Sequence, residues 1–414
     1  MSKVKIAIAG CGGRGRNTYG RMVRCLDNAE ISAVAEPKAD ALFETASEFG
    51  IPTERCYSSV EAMLAQPRLA DILIIATPDN CHADQAVAAL EKGYHLLLEK
   101  PIATNEADCR RVLDAQKKSG RHVVVCHVLR YAPFYSTVKE LVDKGEVGDI
   151  VTLNAIERVC YWHQAHSYTR GNWRRLDQSS PMILAKCCHD MDIISWMIGK
   201  RCERVSSFGS LTHFREENAP EGSTDRCSTC PVRDCKYNAY GFYLPLVHEN
   251  ETVWPANILS PTPDKEHIIE AIDNGPYGRC VYRCDNDVVD HQVVNMLFEG
   301  GVTANFTLTA FTATEGRALH IMGTDGEIRA DMNGNFVRVM PFGKDEYTID
   351  IGKLSESSSG HGGGDMIMFA DFINAVERGE APRFELRQSI ESHLIAFAAE
   401  RSRVNNGKPE LINI

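Results

Sequence analysis

The sequence lacks the features that mark several protein classes. No apolar run approaches the roughly 20 residues that cross a bilayer, so a membrane partner is not expected. Basic charge is also short. Lys and Arg total 45 against 56 Asp and Glu, a net charge of −11. With no basic patch or DNA-binding motif, nucleic acid is not expected as a partner either. There is no internal repeat, and only Ser355–Ser359 approaches low complexity. The first strand is expected to begin at Val4, so no secretory leader is expected. The fifteen cysteines are therefore read as reduced thiols of a cytoplasmic protein, some of them metal ligands, and not as a disulfide framework.

What is present is an ordinary globular balance, 43% hydrophobic and 24% charged over 414 residues. That length suits two domains. Lys3–Ala9 alternates into an apolar strand and runs into Gly10-Cys11-Gly12-Gly13-Arg14-Gly15, with Asn17–Cys25 able to form a helix. In this G-x-G-x-x-G, Gly10 permits the turn, Gly12 lets the backbone approach a pyrophosphate, and Gly15 lets helix and strand pack closely. The helix N-terminus offers free N–H groups and a positive dipole end to the phosphates. A second strand, Ile31–Ala35, ends in Glu36, where the ribose-binding acid is expected. Glu36 would accept both ribose hydroxyls and repel a 2′-phosphate, which favours NAD over NADP. Lys38 and Arg14 are near enough to soften that preference.

The alternation continues through a helix at Asp40–Phe49 and a strand at Asp71–Ala76, which ends in the loop Thr77-Pro78-Asp79-Asn80. Further on come helices at Cys81–Lys92 and Glu106–Lys118 and strands at Tyr94–Leu98 and His122–Cys126. Strands alternating with helices predict an α/β fold with a parallel, doubly wound sheet. Ligands bind beyond the carboxyl ends of such strands. Leu98-Glu99-Lys100-Pro101 delivers a lysine to one of those ends, and Pro101 holds Lys100 extended. The cofactor-facing set is then Gly10, Gly12, Gly13, Arg14, Gly15, Glu36, Thr77, Pro78, Asn80, Glu99 and Lys100.

The order of motifs (the glycine loop, Ala76-Thr77-Pro78, Glu99-Lys100-Pro101, Arg130-Tyr131-Ala132-Pro133) resembles the glucose–fructose oxidoreductase/inositol dehydrogenase family. The resemblance covers nearly the whole chain apart from a middle segment. It implies an N-terminal Rossmann domain, 1–130, and a C-terminal α/β domain, 131–414, with a large open, mainly antiparallel sheet. It also implies that Lys100 contacts the reacting sugar hydroxyl beside the nicotinamide. His189, near the start of an amphipathic helix at Cys187–Met197, would be the catalytic acid/base or its partner. Inositol dehydrogenase-like members carry an aspartate four residues before that histidine. Here the position is Ala185, with Lys186 as the adjacent polar residue.

From Val138 the pattern changes, and Val151–Val159 reads as the first strand of the second domain. Arg130, Tyr131, Tyr161, His163, Trp173 and Lys186 are candidate substrate contacts, because aromatic faces beside hydrogen-bonding groups suit sugar rings. Strands are expected at Val288–Phe298, Val302–Thr309, Ala318–Met322 and Glu327–Met332, with Asp290 or His291 facing the cleft. Asp365 is expected to cap a helix at Met366–Glu377, and a last helix runs over Gln388–Asn405. Between these, residues 215–285 form an insertion without evident apolar periodicity. It carries Cys227, Cys230 and Cys235 in a C-x2-C-x4-C spacing, followed by Cys280 and Cys284. Structural zinc on the first three plus Cys280 is expected, with Cys284 an open alternative and an iron–sulfur cluster compatible.

The resulting expectation is an NAD-dependent oxidoreductase that moves a hydride between nicotinamide and a ring carbon of a sugar, cyclitol or sugar derivative. Lys100 and His189 would handle the hydroxyl proton, and the family's open sheet implies a homo-oligomer. A deglycosylating enzyme working by transient ring oxidation is a rival reading. A non-catalytic sugar or cofactor sensor is another, against which Lys100 and His189 both weigh.

Overall fold

The computed structural model describes residues 3–249, 252–260, 262–353 and 361–413, so the Ser355–Ser359 run lies outside the described residues. Two sheets organise the molecule. The first is built from β1 (Val4–Ala9), β2 (Ala29–Ala35), β3 (Cys56–Tyr57), β4 (Ile72–Ile75), β5 (His95–Leu98) and β6 (Val123–Val125). Their order is β3-β2-β1-β4-β5-β6 and every pairing is parallel. β4 is buried along its whole length, as a strand covered by helices on both faces must be. The strand order reverses between β1 and β4, which opens a crevice at their carboxyl ends. Asn105 starts the helix Glu106–Ser119 by accepting the Asp108 N–H, and Gly120 ends it in the left-handed conformation.

The second sheet holds β7 (Ile150–Arg158), β8 (Cys202–Ser210), β9 (His291–Phe298), β10 (Thr303–Thr309), β11 (Gly316–Gly323), β12 (Gly326–Asp331), β13 (Phe336–Pro341), β14 (Tyr347–Asp350) and β15 (Glu410–Leu411). Its order is β14-β13-β12-β11-β7-β10-β9-β8-β15. Only β7 and β10 pair in parallel, so the sheet is large and mainly antiparallel. Alternation along β7 buries Leu153, Ala155 and Glu157 and turns Thr152, Asn154 and Ile156 outward.

One continuous apolar core joins both sheets. Leu73 and Leu98 from the first, Leu153 and Phe306 from the second, and Leu394, Ile395 and Ala398 from the helix Leu386–Val404 all belong to it. The helix Gly364–Arg378 returns to the first sheet and packs Met368, Phe369, Phe372 and Ile373 against Ile6, Ile8 and Ile74. A segment late in the chain thus completes the lobe that begins it.

Several expected boundaries shift. β9 starts at His291, because Val288–Asp290 approach it as a buried loop. Asp365 does not cap its helix. Gly363, at φ 86°, precedes the first turn and Asp365 lies inside it. The helix Cys188–Ile198 is buried on nearly all sides rather than amphipathic, since it lies under both β7 and the last helix. The insertion also has more order than its sequence suggested. It builds two small cores, one around Phe214, Tyr237, Val281 and Tyr282 and one around Ala239, Tyr243, Ala256, Ile268 and Ile272. Ile268 and Ile272 stand one turn apart on the helix Lys265–Asn274, which Asp264 caps.

Candidate active site

The glycine loop shows two different uses of glycine. A Cβ on Gly10, which has φ +89°, would meet Ala76 O at 2.5 Å, and one on Gly15 would meet Gly10 O at 1.8 Å. Both are required by the protein's own packing. A Cβ on Gly12 would have nothing within 4 Å, so the backbone there stays open to a ligand. From Gly13 the chain enters a wide helical turn that continues to Val23. Glu36 lies beside the loop at the end of β2 and accepts the Cys11 N–H at 2.8 Å and the Lys38 N–H at 3.0 Å. A dinucleotide fits this cradle, with open backbone for its phosphates and an acid at the ribose position.

Arg14 is turned away from that ribose. Its guanidinium reaches Glu99 at 2.5 Å and Asp365 at 2.6 Å, and Tyr19 donates to the same Glu99 oxygen at 2.7 Å. Burial alone would push the Glu99 carboxyl up, but Arg14 and Lys100 outweigh it and hold it below its ordinary value. Glu99 also accepts the Lys100 N–H at 3.1 Å. The glycine loop and the end of β5 are thereby joined through one buried carboxylate.

Lys100 projects from the end of β5, and its Nζ donates to the Ala185 carbonyl at 2.8 Å. That carbonyl closes the short helix Met182–Ala185, immediately before the helix that carries His189. The lysine therefore spans from the first sheet to the entry of the His189 helix. Burial drives the neighbouring Cys188 thiol up to about 12 in spite of the Lys100 ammonium. His189 is itself 5% exposed and stands edge-on to His127, with ring centroids 5.7 Å apart. The loop after β4 closes the other side. Asp79 accepts from Trp173 Nε1 at 3.2 Å and from Ser179 Oγ at 3.3 Å, and the Thr77 hydroxyl donates to Gln85 at 2.6 Å. Pro78 and Asn80 flank Asp79 in this loop.

Lys186 points to a buried charge chain. Its Nζ is 3.4 Å from Glu157, which pairs with Arg317 at 2.7 Å, and Arg317 also pairs with Asp190 at 2.8 Å. Burial raises the Asp190 carboxyl to about 6, with Arg317 opposing. His163 sits near this chain with Nδ1 3.1 Å from Glu315. Desolvation, then the Lys186 charge, lowers its pKa, which keeps the ring neutral. Tyr161 lies close to Tyr237 at the insertion, with centroids 6.1 Å apart.

Four expected substrate contacts lie elsewhere. Arg130 is 3% exposed and bonds Asp192 twice at 2.7 Å, from Nε and Nη2. It is a buried counter-ion. Tyr131 is buried beneath Phe384 and Arg383. Asp290 is fully buried and accepts the backbone N–H groups of Thr212 and His213 at 2.8 and 2.7 Å. His291 pairs with Asp290 at 2.8 Å. That pair fastens the base of the insertion to β9, and no hydrogen bond or ion pair joins it to Lys100 among the described residues.

All fifteen cysteines are free. Cys227, Cys230, Cys235 and Cys280 line one cavity of about 20 Å³ together with Arg170, and Cys284 is not among its lining residues. The isolated antiparallel bridge of Arg226 with Arg279 places Cys227 opposite Gly278 and Cys280 opposite Asp225, so the two cysteines stand diagonally across it. Cys227 Sγ accepts from the Ala239 N–H at 3.4 Å and lies 3.7 Å from Arg170 Nη2. The sulfurs are not drawn in as far as a tetrahedral ion requires, roughly 3.8 Å apart for zinc bonds near 2.3 Å. Among the described residues, only His127, Cys188 and His393 bring three ligand atoms within 4.8 Å of one another. That group does not suit a metal, because both His393 nitrogens are engaged. Nε2 takes the Ile102 N–H at 2.9 Å, and Nδ1 faces the Ser389 carbonyl at 2.8 Å.

Sequence reasoning missed the residues that support the named ones. Asp192, Glu157 and Arg317 are acidic or basic side chains at buried positions, and His127 Nδ1 lies 3.0 Å from Asp192. Asp192 alone left a signal, one helical turn after His189 in Cys188-His189-Asp190-Met191-Asp192.

Comparison with known proteins agrees with this geometry. Residues 4–127 match the NAD-binding Rossmann fold of an oxidoreductase family, and residues 139–411 match that family's C-terminal alpha/beta domain. The chain is 28% identical to the oxidoreductase YteT of Bacillus subtilis over 324 residues, 73% of this chain and 72% of that protein. It is 29% identical to an inositol 2-dehydrogenase of Corynebacterium glutamicum over 207 residues, 50% of this chain and 57% of that protein. Among solved structures, a levoglucosan dehydrogenase in complex with NADH and levoglucosan superposes with a TM-score of 0.73 at 17% identity, over 100% of both chains. The WlbA dehydrogenase of Bordetella pertussis, in complex with NADH and UDP-GlcNAcA, gives 0.73 at 18% identity, over 100% of this chain and 99% of that one. With its glycine loop, its lysine at the end of β5 and its nine-stranded second sheet, the chain belongs to the GFO/IDH/MocA oxidoreductase family.

Proposed function

We propose that the protein transfers a hydride between NAD and a ring carbon of a sugar, cyclitol or sugar derivative. The observation that carries this is the placement of Lys100, held by the Ala185 carbonyl at 2.8 Å, at the end of a strand whose Glu99 is tied to the glycine loop. When bound, the cofactor supplies the hydride acceptor. The protein's part is proton handling and orientation. Lys100 Nζ takes the proton of the reacting hydroxyl on oxidation and returns it on reduction, with His189 as its partner across the cleft. Glu36, occupied with two backbone N–H groups and bearing a negative charge, favours NAD over the 2′-phosphorylated form. His163, Lys186 and Trp173 are the substrate contacts we retain, with Tyr161 at their margin. The named ligands of the related dehydrogenases, levoglucosan and UDP-GlcNAcA, support a carbohydrate substrate.

No helix among the described residues is long and apolar enough to cross a membrane, and we assign the protein to the cytoplasm. We place the domain junction near residue 130 and expect a homo-oligomer. The shared cavity of the four cysteines suits one structural ion, zinc before iron–sulfur, that would draw the sulfurs together. Incubating the protein with NAD and a panel of sugars, cyclitols and aryl glycosides tests the function. NADH should accumulate with a sugar or cyclitol. Aglycone release without net NADH would overturn the assignment.

A further inference from the structure

The insertion does more than decorate the second sheet. Residues 252–260 lie between the glycine loop and the aromatic residues of the cleft. Two of the large apolar side chains left exposed on the molecule are in this strip, Trp254 and Ile258, at 43% each. The tip of Ile258, Cδ1, is 3.9 Å from the point where a Cβ on Gly13 would stand. Trp254 meets His163 with ring centroids 5.0 Å apart, Trp162 at 5.5 Å and His166 at 5.8 Å. One short strip therefore touches the phosphate-binding loop with one side chain and the substrate-side aromatics with another.

The strip is anchored and internally ordered. Ala256 is fully buried in the small core with Tyr243, Ile268 and Ile272. The Val253 N–H donates to Leu246 O at 3.0 Å, and the Ile258 N–H donates to Pro255 O at 3.1 Å. Asn257 keeps a buried side-chain oxygen without a hydrogen-bond partner among the described residues, an acceptor that a ribose hydroxyl could satisfy. Exposed apolar side chains beside a ligand loop, on a fixed support, are what a bound molecule would cover.

We infer that residues 252–260 form the outer wall of the dinucleotide site. Ile258 covers the diphosphate on the glycine loop and Trp254 closes the cleft beside it, so a nicotinamide dinucleotide enters and leaves only when these side chains swing aside. This rests on the dinucleotide reading of the glycine loop. It makes cofactor exchange slow relative to an open Rossmann crevice, and it sets Trp254 against both cofactor and substrate.

The test uses the full chain and NADH. Release of bound NADH is followed by displacement with excess NAD, in the natural protein, in Ile258→Ala and in Trp254→Phe. Ile258→Ala should still bind NADH and release it about tenfold faster, the order expected when one apolar side chain stops covering a ligand. Trp254→Phe should lower the tryptophan-to-NADH energy transfer of the complex. As a readout independent of substitution, amide exchange over residues 253–259 should slow when NADH binds to the natural protein. Release from Ile258→Ala within twofold of the natural rate, or exchange unchanged by NADH, overturns the wall and leaves the dinucleotide site standing. Failure of the natural protein to bind NADH overturns both.

Discussion

Arg14→Met is the substitution with the most to reveal. Arg14 belongs to the phosphate loop by sequence, yet its guanidinium serves two carboxylates, Glu99 at 2.5 Å and Asp365 at 2.6 Å. Those carboxylates keep only 8% and 3% of their side-chain surface exposed, while Arg14 keeps 31%. Methionine preserves much of the volume but removes the guanidinium that both buried carboxylates share. Removing one partner of a buried pair costs about 3–5 kcal/mol. Because Arg14 is partly exposed and Tyr19 still donates to Glu99, the lower end, about 3 kcal/mol, is expected. For a cooperative unit of 150–250 residues that is roughly 6–12 °C in Tm. The pH dependence fixes the cause. In the natural protein the Glu99 carboxyl is held below its ordinary value of 4.5, so its contribution is present above pH 4.5 and lost as pH falls through the depressed value. In the variant only Lys100 and Tyr19 are left to oppose burial, so that value rises, and Glu99 takes up a proton at higher pH than in the natural protein, which shrinks the penalty. The Tm difference should be greatest near neutral pH and shrink towards pH 4. Thermal unfolding of both proteins across that range measures it. A difference that is absent, or flat with pH, would refute the electrostatic account of this junction.

Lys100→Met should lower turnover by about 10²–10⁴-fold, the range of a general acid–base group, while NADH binding measured by fluorescence stays within about threefold. Glu36→Ala should weaken NAD binding and narrow the preference over NADP, read as the ratio of the two dissociation constants; an unchanged ratio would remove Glu36 from the ribose site. Protein purified without added metal should carry about one zinc per chain by mass spectrometry if the cysteine cavity holds an ion, and Cys227→Ser should lose it and lower Tm. Equal metal content in that variant would sink the site. Asp192→Asn should destabilise the fold by about 3 kcal/mol or more because Arg130 is left buried without its counter-charge, with the loss appearing in Tm ahead of any change in NADH affinity.

Much of the first half was legible because its signals are local. A glycine loop between a strand and a helix, an acid at the end of β2, and a lysine–proline pair at the end of β5 each depend on a few consecutive residues. The second half depends on long-range pairing. β8 and β15 lie at one edge of the sheet and are paired through residues 204 and 411, a separation that no local pattern reveals. The residues that fold away from Lys100 follow the same division. Arg130 was named for its motif, but whether an arginine faces a ligand or a buried aspartate is decided by Asp192, 62 positions later. Asp290 was named for strand alternation, yet the strand begins one residue beyond it. The insertion shows no evident apolar periodicity because its apolar residues are spread over several short elements that form cores only after the chain folds back.

The hold on Lys100 has an evolutionary consequence. The lysine's partner at 185 is a backbone carbonyl, a group that every amino acid supplies. Substitution at that position can change volume or charge without unseating the amine. Selection would therefore act on the path of the chain through residues 181–188, not on the identity of residue 185. An alignment column there can drift freely while the carbonyl stays fixed, so the contact that holds Lys100 would leave no trace of conservation.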